Sequence, residues 1–344
     1  MLLDKERSMS TIEKTLLTAK FIDGFWDRWI VHGVKREDII FVRSSLSSKE
    51  DWMKRWGTLA DLLMQKAEAL PSVEAEIVFR TAGLYYHLMQ WLIPERNDEK
   101  KKWLNQSLKA VRIADDLSHI ETHYVQLDVD QKKCFGRVCI PSAPKGIIII
   151  INPLDSTKEE LFTYEMDFLE KRFVTISFDG PGQGETYVFS SLKGTKKRWE
   201  KFVNLLIEFA SSNFSLPIYV FGTSSGASWA VYSSCHPKVV KAVAVSPAFL
   251  SEEISLPDYF TERVRFVSEQ EDKWLPCFEK LAFRNPVLLI HGRQDVMVSS
   301  EDIYNLYQHL PNGKKLLEFD DEGHCCNYKL PEIRQYAMTW FQEK

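Results

Sequence analysis

The sequence predicts an α/β fold in which a mostly parallel sheet flanked by helices follows an all-helical region. Three observations predict it. The first third of the chain repeats apolar residues at helical spacing, the remainder alternates apolar strands with amphipathic helices, and the period changes abruptly near residue 120.

The helical part runs from Ser10 to about Leu117, punctuated only by Pro71 and Pro94. Six of the ten tryptophans lie in it (Trp26, Trp29, Trp52, Trp56, Trp91 and Trp103), and Tyr85, Tyr86 and His87 fall together on one segment. Most of these aromatic side chains are expected to pack the helical interior, because large rings are costly to leave in water. The charged run Lys100, Lys101 and Lys102 reads as a solvated helix face.

From His123 the period is two. Tyr124 to Val129 and Cys134 to Ile140 form a hairpin pattern with a polar turn between them, so the boundary falls near residues 115 to 122. Buried strands are then expected at Gly146 to Ile151, Phe173 to Phe178, Pro217 to Phe221, Val239 to Val245, Pro286 to Ile290 and Lys315 to Phe319. Between them, Thr157 to Glu160 opens a helix, Arg198 to Ala210 is amphipathic, and Pro331 stands at the start of the last helix. An insert between Pro247 and Asn285, carrying Trp274 and several acids, has room for one or two helices and for a lid. A length of 344 residues suits two units, a cap at 1–120 and a catalytic domain at 121–344.

Composition narrows the function. With 44% hydrophobic and 27% charged residues and a net charge of −4, the chain has no electrostatic footprint for nucleic acid. The start, MLLDKERSMSTIEK, lacks the apolar stretch of a secretory signal, and the apolar run Ile147 to Ile151 is too short to span a bilayer. No membrane partner and a cytoplasmic location are therefore expected. Six scattered cysteines, including the vicinal Cys325 and Cys326, have neither disulfide-framework nor metal-site spacing. No metal and no cofactor are expected.

The sharpest motif is Gly222-Thr223-Ser224-Ser225-Gly226, between the strand Ile218 to Phe221 and the helix-compatible Ala227 to Tyr232. A Gly-x-Ser-x-Gly turn in that context forces the serine into a strained conformation and projects its Oγ, while the glycines let strand and helix pack closely. A serine hydroxyl needs a base, and the base needs an orienting carboxylate. Asp295 stands just past the strand Val287 to Ile290, and His324 past the strand Leu316 to Phe319, in the chain order Ser, Asp, His. Ser224, Asp295 and His324 are thus the candidate catalytic triad. The rival His291 fits a strand-to-loop turn before Gly292. For the oxyanion hole, Ser225 supplies one N–H. Pro153 has no N–H, so Leu154 is the better second donor, with the side chain of Asn152 as the alternative.

Read with these motifs, three further segments carry a family likeness: Pro153 to Glu160 (PLDSTKEE), Phe178 to Glu185 (FDGPGQGE) and Ala75 to Tyr86 (AEIVFRTAGLYY). Over nearly its whole length the chain resembles the α/β-hydrolase family that contains 2,6-dihydroxypseudooxynicotine hydrolase, the fungal polyketide-shortening hydrolases of pigment synthesis and the fermentation-respiration-switch proteins. The resemblance implies a helical N-terminal domain that helps enclose the active site. It also implies attack by Ser224 on a ketone or acyl carbonyl, in some members with cleavage of a carbon–carbon bond. The chain departs from the family where Asn152-Pro153 replaces a Gly-Gly or similar pair. Asp179 is expected to fix the Gly-Pro-Gly turn that follows it. Glu185, Tyr86 and Asn152 are candidate substrate contacts.

The expected activity is hydrolysis of a small-molecule carbonyl substrate, aromatic or polyketide-like, through an acyl-enzyme. A carboxylesterase, thioesterase, acyltransferase or cyclase would use the same triad, and a regulatory binding protein could keep the fold without turnover. A homodimer through the helical part is compatible with the sequence.

Overall fold

The computed structural model describes residues 8–249, 257–269 and 274–343. Six helices come first: α1 (Thr11–Phe21), α2 (Asp27–Val31), α3 (Arg36–Arg43), α4 (Lys49–Glu68), α5 (Ser72–Leu92) and α6 (Asp98–Leu117). Their starts are written locally. Ser10 and Glu13 form a reciprocal capping box on α1, Ser48 and Asp51 form another on α4, and Asn97 accepts the Lys100 N–H at 2.8 Å on α6. The aromatic side chains meet in the interior as expected. Trp26 stacks on Trp52 with ring centroids 5.6 Å apart, and Tyr85 meets Trp56 edge-on.

Helix α5 is the buried axis of this layer, with every residue from Phe79 to Leu92 buried. Gly83 lets α6 approach it, since a methyl there would stand 2.9 Å from Val111.

The sheet follows at Glu121. Its strands are β1 (Glu121–Val129), β2 (Lys132–Ile140), β3 (Gly146–Ile151), β4 (Phe173–Phe178), β5 (Ile218–Thr223), β6 (Val239–Val245), β7 (Val287–Gly292) and β8 (Lys315–Phe319). In space the order is β1-β2-β4-β3-β5-β6-β7-β8. The β1–β2 hairpin and the β2–β4 pairing are antiparallel, and the remaining pairings are parallel. Strands β3, β4 and β5 are buried along their whole length, which is why apolar residues dominate them.

Helices α7 (Phe162–Glu170), α8 (Gly184–Ser190), α9 (Lys196–Asn213), α10 (Ser225–Ser233), α12 (Ser300–His309) and α13 (Leu330–Gln342) connect and flank the strands. Thr157 opens a short 3₁₀ turn, Lys158–Leu161, that leads into α7. The insert contributes α11 (Asp258–Val267) and a 3₁₀ turn at Phe278–Lys280. Its residues 250–256 and 270–273 lie outside the described residues. Helix α11 reaches back to the first helix, where Thr11 donates to Glu262 at 2.7 Å.

One expectation fails here. Lys101 and Lys102 are solvated, but Lys100 is buried, because the C-terminal turn of α5 lies across it and its ammonium donates to the carbonyls of Gln90 (3.0 Å) and Ile93 (2.8 Å).

Buried charge ties the helical layer to the sheet. Arg137 on β2 pairs with Glu165 on α7 and lies 3.4 Å from Asp115 on α6, which also pairs with Arg80 on α5 at 2.9 Å. Replacing Arg137 with Leu strands Glu165 without its cation. The expected loss is about 3–5 kcal/mol, as for breaking one side of a buried pair, and chemical denaturation of wild type and Arg137→Leu measures it.

Candidate active site

The nucleophile elbow is built by close backbone approach. A methyl on Gly222 would lie 2.2 Å from the Gly226 carbonyl oxygen, and one on Gly226 would lie 2.1 Å from that of Ile151. Only glycine allows β5, α10 and the end of β3 to come together here. Between them Ser224 takes φ 54° and ψ −124°, a conformation that costs a side-chain-bearing residue about 1–3 kcal/mol. Hydrogen bonds hold it there: its N–H donates to Val245 at 2.9 Å, and its carbonyl accepts from Ala227 and Ser228.

The three candidate triad residues meet. Ser224 Oγ lies 2.9 Å from His324 Nε2, and His324 Nδ1 lies 2.8 Å from Asp295 Oδ2. The other oxygen of Asp295 accepts the N–H groups of Met297 (2.8 Å) and Val298 (3.0 Å), so the carboxylate is fixed in the orientation that meets the imidazole. This geometry is consistent with Nδ1–H donating to Asp295 and Nε2 accepting from the serine hydroxyl. Burial opposes charge on His324, but Cys325 and Asp295 beside it hold its proton well above the ordinary imidazole range. Burial likewise pushes Asp295 up, and His324 with the two backbone N–H groups brings it below the usual carboxylate range.

The His324 loop is seated by backbone contact. A methyl on Gly292 would stand 2.4 Å from the carbonyl oxygens of both Glu322 and Gly323, so the loops after β7 and β8 touch at that glycine. Past the histidine, Cys325 (φ 67°) and Cys326 (φ 47°) take consecutive left-handed conformations, and the Cys325 N–H donates to Ser246 at 3.1 Å. Tyr328 then bonds Asp27 on α2, with Arg36 over its ring at 5.8 Å. The loop that carries His324 is clasped to the helical layer.

Among the described residues no hydrogen bond uses the Ser225 N–H or the Leu154 N–H, which leaves both available as oxyanion donors. Asn152 is different. Its side chain is fully buried and its amide donates to the Phe178 carbonyl at 3.1 Å, which commits one of its hydrogens to the sheet edge. Glu185 and Tyr86 are placed elsewhere than expected. Glu185 accepts from the buried Lys158 at 2.6 Å, and Tyr86 bonds Asp61 and stacks on Trp103 inside the helical layer. Asp179 accepts from the Lys158 N–H and ammonium, and from the Glu185 N–H. The turn after it is held by Gln183, whose Oε1 accepts from Gly180 at 2.9 Å. His291 is buried in β7, 2.8 Å from the Ser300 hydroxyl, and is no rival base.

Two features escaped the sequence reading. Gln183 Nε2 donates to the carbonyls of Asn152 (3.2 Å) and Pro153 (2.6 Å), which pins the loop that presents Leu154. Its signal was present in the FDGPGQGE segment. The second is a charge cluster between the helical layer and that loop. Glu160, with no exposed side-chain surface, accepts from Arg28 (2.6 and 2.8 Å) and Ser156 (2.8 Å), with His32 at 2.8 Å and His87 at 3.1 Å. Asp155 accepts from Arg28 at 2.6 Å and from the Trp91 indole at 2.8 Å. Burial opposes the charge on Glu160, and Arg28 with the two histidines outweighs it and holds the carboxyl well below its usual range.

A mostly parallel sheet with this elbow and these three loops at its C-terminal edge defines the class: the chain has the α/β-hydrolase fold. No protein-family model matches it. By sequence it is similar to the 2,6-dihydropseudooxynicotine hydrolase of Paenarthrobacter nicotinovorans, 25% identical over 329 residues, 88% of this chain and 86% of that one. It is also similar to the 20-hydroxy-prefusarin hydrolase of Gibberella moniliformis, 25% identical over 57% of this chain and 51% of that one. By structure it matches 2,6-dihydroxy-pseudo-oxynicotine hydrolase with a TM-score of 0.80 at 23% identity, covering 92% and 94% of the two chains. An esterase of Pyrococcus furiosus matches at 0.55 and 17% identity, over 65% of this chain and 91% of that one. Among the described residues no helix is long and apolar enough to cross a membrane.

Two tests follow from the geometry. Gly292→Ala forces the Glu322–Gly323 carbonyls away and carries His324 with them; a misplacement of about 1 Å costs on the order of 10²-fold in rate, so kcat of the variant on an activated ester is expected to fall by that much. Because a general base must be neutral, activity is expected to rise with pH, with its acid limb above roughly 6.5, the ordinary imidazole value. A kcat/KM profile against pH locates the limb.

Proposed function

We propose that the chain hydrolyses a small-molecule carbonyl compound through an acyl-enzyme on Ser224. His324 Nε2 takes the hydroxyl proton as Oγ adds to the carbonyl carbon, and the N–H groups of Ser225 and Leu154 receive the developing oxyanion. The tetrahedral adduct collapses, the bond to the leaving group breaks, and the His324 imidazolium returns the proton to the leaving atom. Water, deprotonated by His324, then attacks the acyl carbon and releases Ser224. Asp295 holds the imidazole in register throughout.

The observation that carries this reading is the unbroken chain of two short contacts from Ser224 through His324 to Asp295, beside two uncommitted N–H groups. The proposed bond class is carbon–carbon, adjacent to a ketone. It is supported by the likeness over most of both chains to a hydrolase named for 2,6-dihydropseudooxynicotine. In that case the leaving group is a carbanion stabilised by its own conjugation and protonated at carbon by His324. The tryptophans of the helical layer lend no support to an aromatic substrate, since Trp26, Trp29, Trp52 and Trp56 are buried against one another and their neighbours.

Covalent labelling with a fluorophosphonate, followed by intact mass and peptide mapping, is expected to mark Ser224 in wild type and nothing in Ser224→Ala. Absence of labelling on folded protein would favour a regulatory role for the fold. Turnover of matched ketone, ester and thioester substrates then assigns the bond class, and Ser224→Ala or His324→Ala is expected to lower it by about 10⁴–10⁶-fold.

A further inference from the structure

Most buried cations of this chain have a close carboxylate. Arg80 lies 2.8 Å from Glu76, Lys158 lies 2.6 Å from Glu185, and Arg334 lies 2.6 Å from Asp167. Lys100 and Arg263, both more than nine-tenths buried, break the pattern. Among the described residues Lys100 has no carboxylate within 4 Å, and its ammonium donates only to the carbonyls of Gln90 and Ile93. Arg263 lies flat on Trp91 at 4.0 Å and gives its terminal nitrogens to the carbonyls of Trp91 and Leu92. Its Nε has no hydrogen-bond partner, and the nearest carboxylate oxygen, on Asp155, is 3.7 Å away. That carboxylate is already committed to Arg28 and Trp91.

Capping α5 explains the carbonyl bonds but not the charge. A helix C-terminus offers roughly −0.5 of an elementary charge, and two basic side chains converge on it, with Asp155 at 3.7 Å from one of them. Both line a cavity of about 30 Å³ together with Asp155, Gln183 and Tyr187. By volume it admits about two water-sized groups, enough for a small polar group. Asp155 lines the same cavity, so a singly charged anion is opposed there less than a doubly charged one. The cavity adjoins the loop of Pro153 and Leu154, because the following residues Asp155 to Thr157 line it and Gln183 both lines it and bonds the Pro153 carbonyl.

We propose that this cavity is an anion subsite that takes a carboxylate-bearing arm of the substrate, paired with Arg263 Nε and the free ammonium hydrogen of Lys100, while Ser224 acts on a carbonyl further along the same molecule. The proposal rests on the hydrolase reading above and adds the substrate class: a carbonyl compound with a terminal carboxylate. The electrostatics of the cavity agree. Burial, with Arg263 beside it, brings Lys100 down to about 7, against the opposing pull of Asp155 and Glu95. An arriving carboxylate supplies the charge that keeps the lysine protonated.

The test compares 4-nitrophenyl half-esters of adipate, pimelate and suberate with the corresponding methyl 4-nitrophenyl diesters, each as kcat/KM on the full chain. At least one half-ester is expected to exceed its neutral partner by roughly tenfold near pH 6, the worth of a charged hydrogen bond. That ratio is expected to fall as Lys100 loses its proton through about pH 7; the triad's own titration is common to both substrates and cancels. Lys100→Met and Arg263→Gln are each expected to bring the ratio towards one. The pH series on wild type keeps the test decisive if either variant folds poorly. Turnover of the diesters with no half-ester preferred at any length overturns the subsite and leaves the hydrolase reading standing. Turnover of neither, together with unlabelled Ser224, overturns the hydrolase reading itself.

Discussion

Glu160 is a charge that cannot stand alone. A carboxylate with no exposed surface costs several kcal/mol unless it is paired and hydrogen-bonded, and here the partners come from two directions. Arg28 and His32 arrive from α2 or its end and His87 from α5, while Ser156 belongs to the same loop as Glu160. The carboxylate can stay ionised and buried only while the helical layer is docked. Because Glu160 ends the segment that begins at the β3 terminus, the same docking fixes the path of Pro153 and Leu154. The clasp of Tyr328 on Asp27 does for the histidine loop what this cluster does for the oxyanion loop.

The site itself is an exercise in removing side chains. Gly222, Gly226 and Gly292 each stand where a single methyl would collide with a carbonyl oxygen at 2.1–2.4 Å. Those absent methyls let three separate loops converge at one edge of the sheet. The strained backbone of Ser224 is held by hydrogen bonds to its own N–H and carbonyl, and the hydroxyl is left with His324 as its partner.

The sheet, the meeting of Ser224, Asp295 and His324, and the switch near residue 120 were legible because each is written over a few consecutive residues: an apolar strand, then a glycine, acid or histidine at its end. The misplaced residues share a different trait. Tyr86, Glu185 and Lys100 are polar groups whose partners lie on other elements or across a turn. No local pattern reports that Asp61 waits for Tyr86, or that Lys158 turns inward to Glu185. The run of three lysines looked solvated because helical spacing cannot show that the preceding helix ends on top of the first of them. Arg28 and Glu160 are separated by 132 positions, so their union is a property of the fold alone. The only local hint was two acids placed just beyond a buried strand.

The shared cluster of Arg28, His32, His87, Trp91, Asp155 and Glu160 also governs how this architecture can be recombined. Four of its members precede the chain's change in period and two follow it, and neither group is satisfied without the other. A chimaera that grafts a foreign helical layer onto this sheet would have to transplant the set as a unit. Trimming the layer away to leave a minimal enzyme would bare two carboxylates at the mouth of the oxyanion loop. The helical layer thus supplies the partners that two buried carboxylates of the loop after β3 require, and the loop cannot keep its form without them.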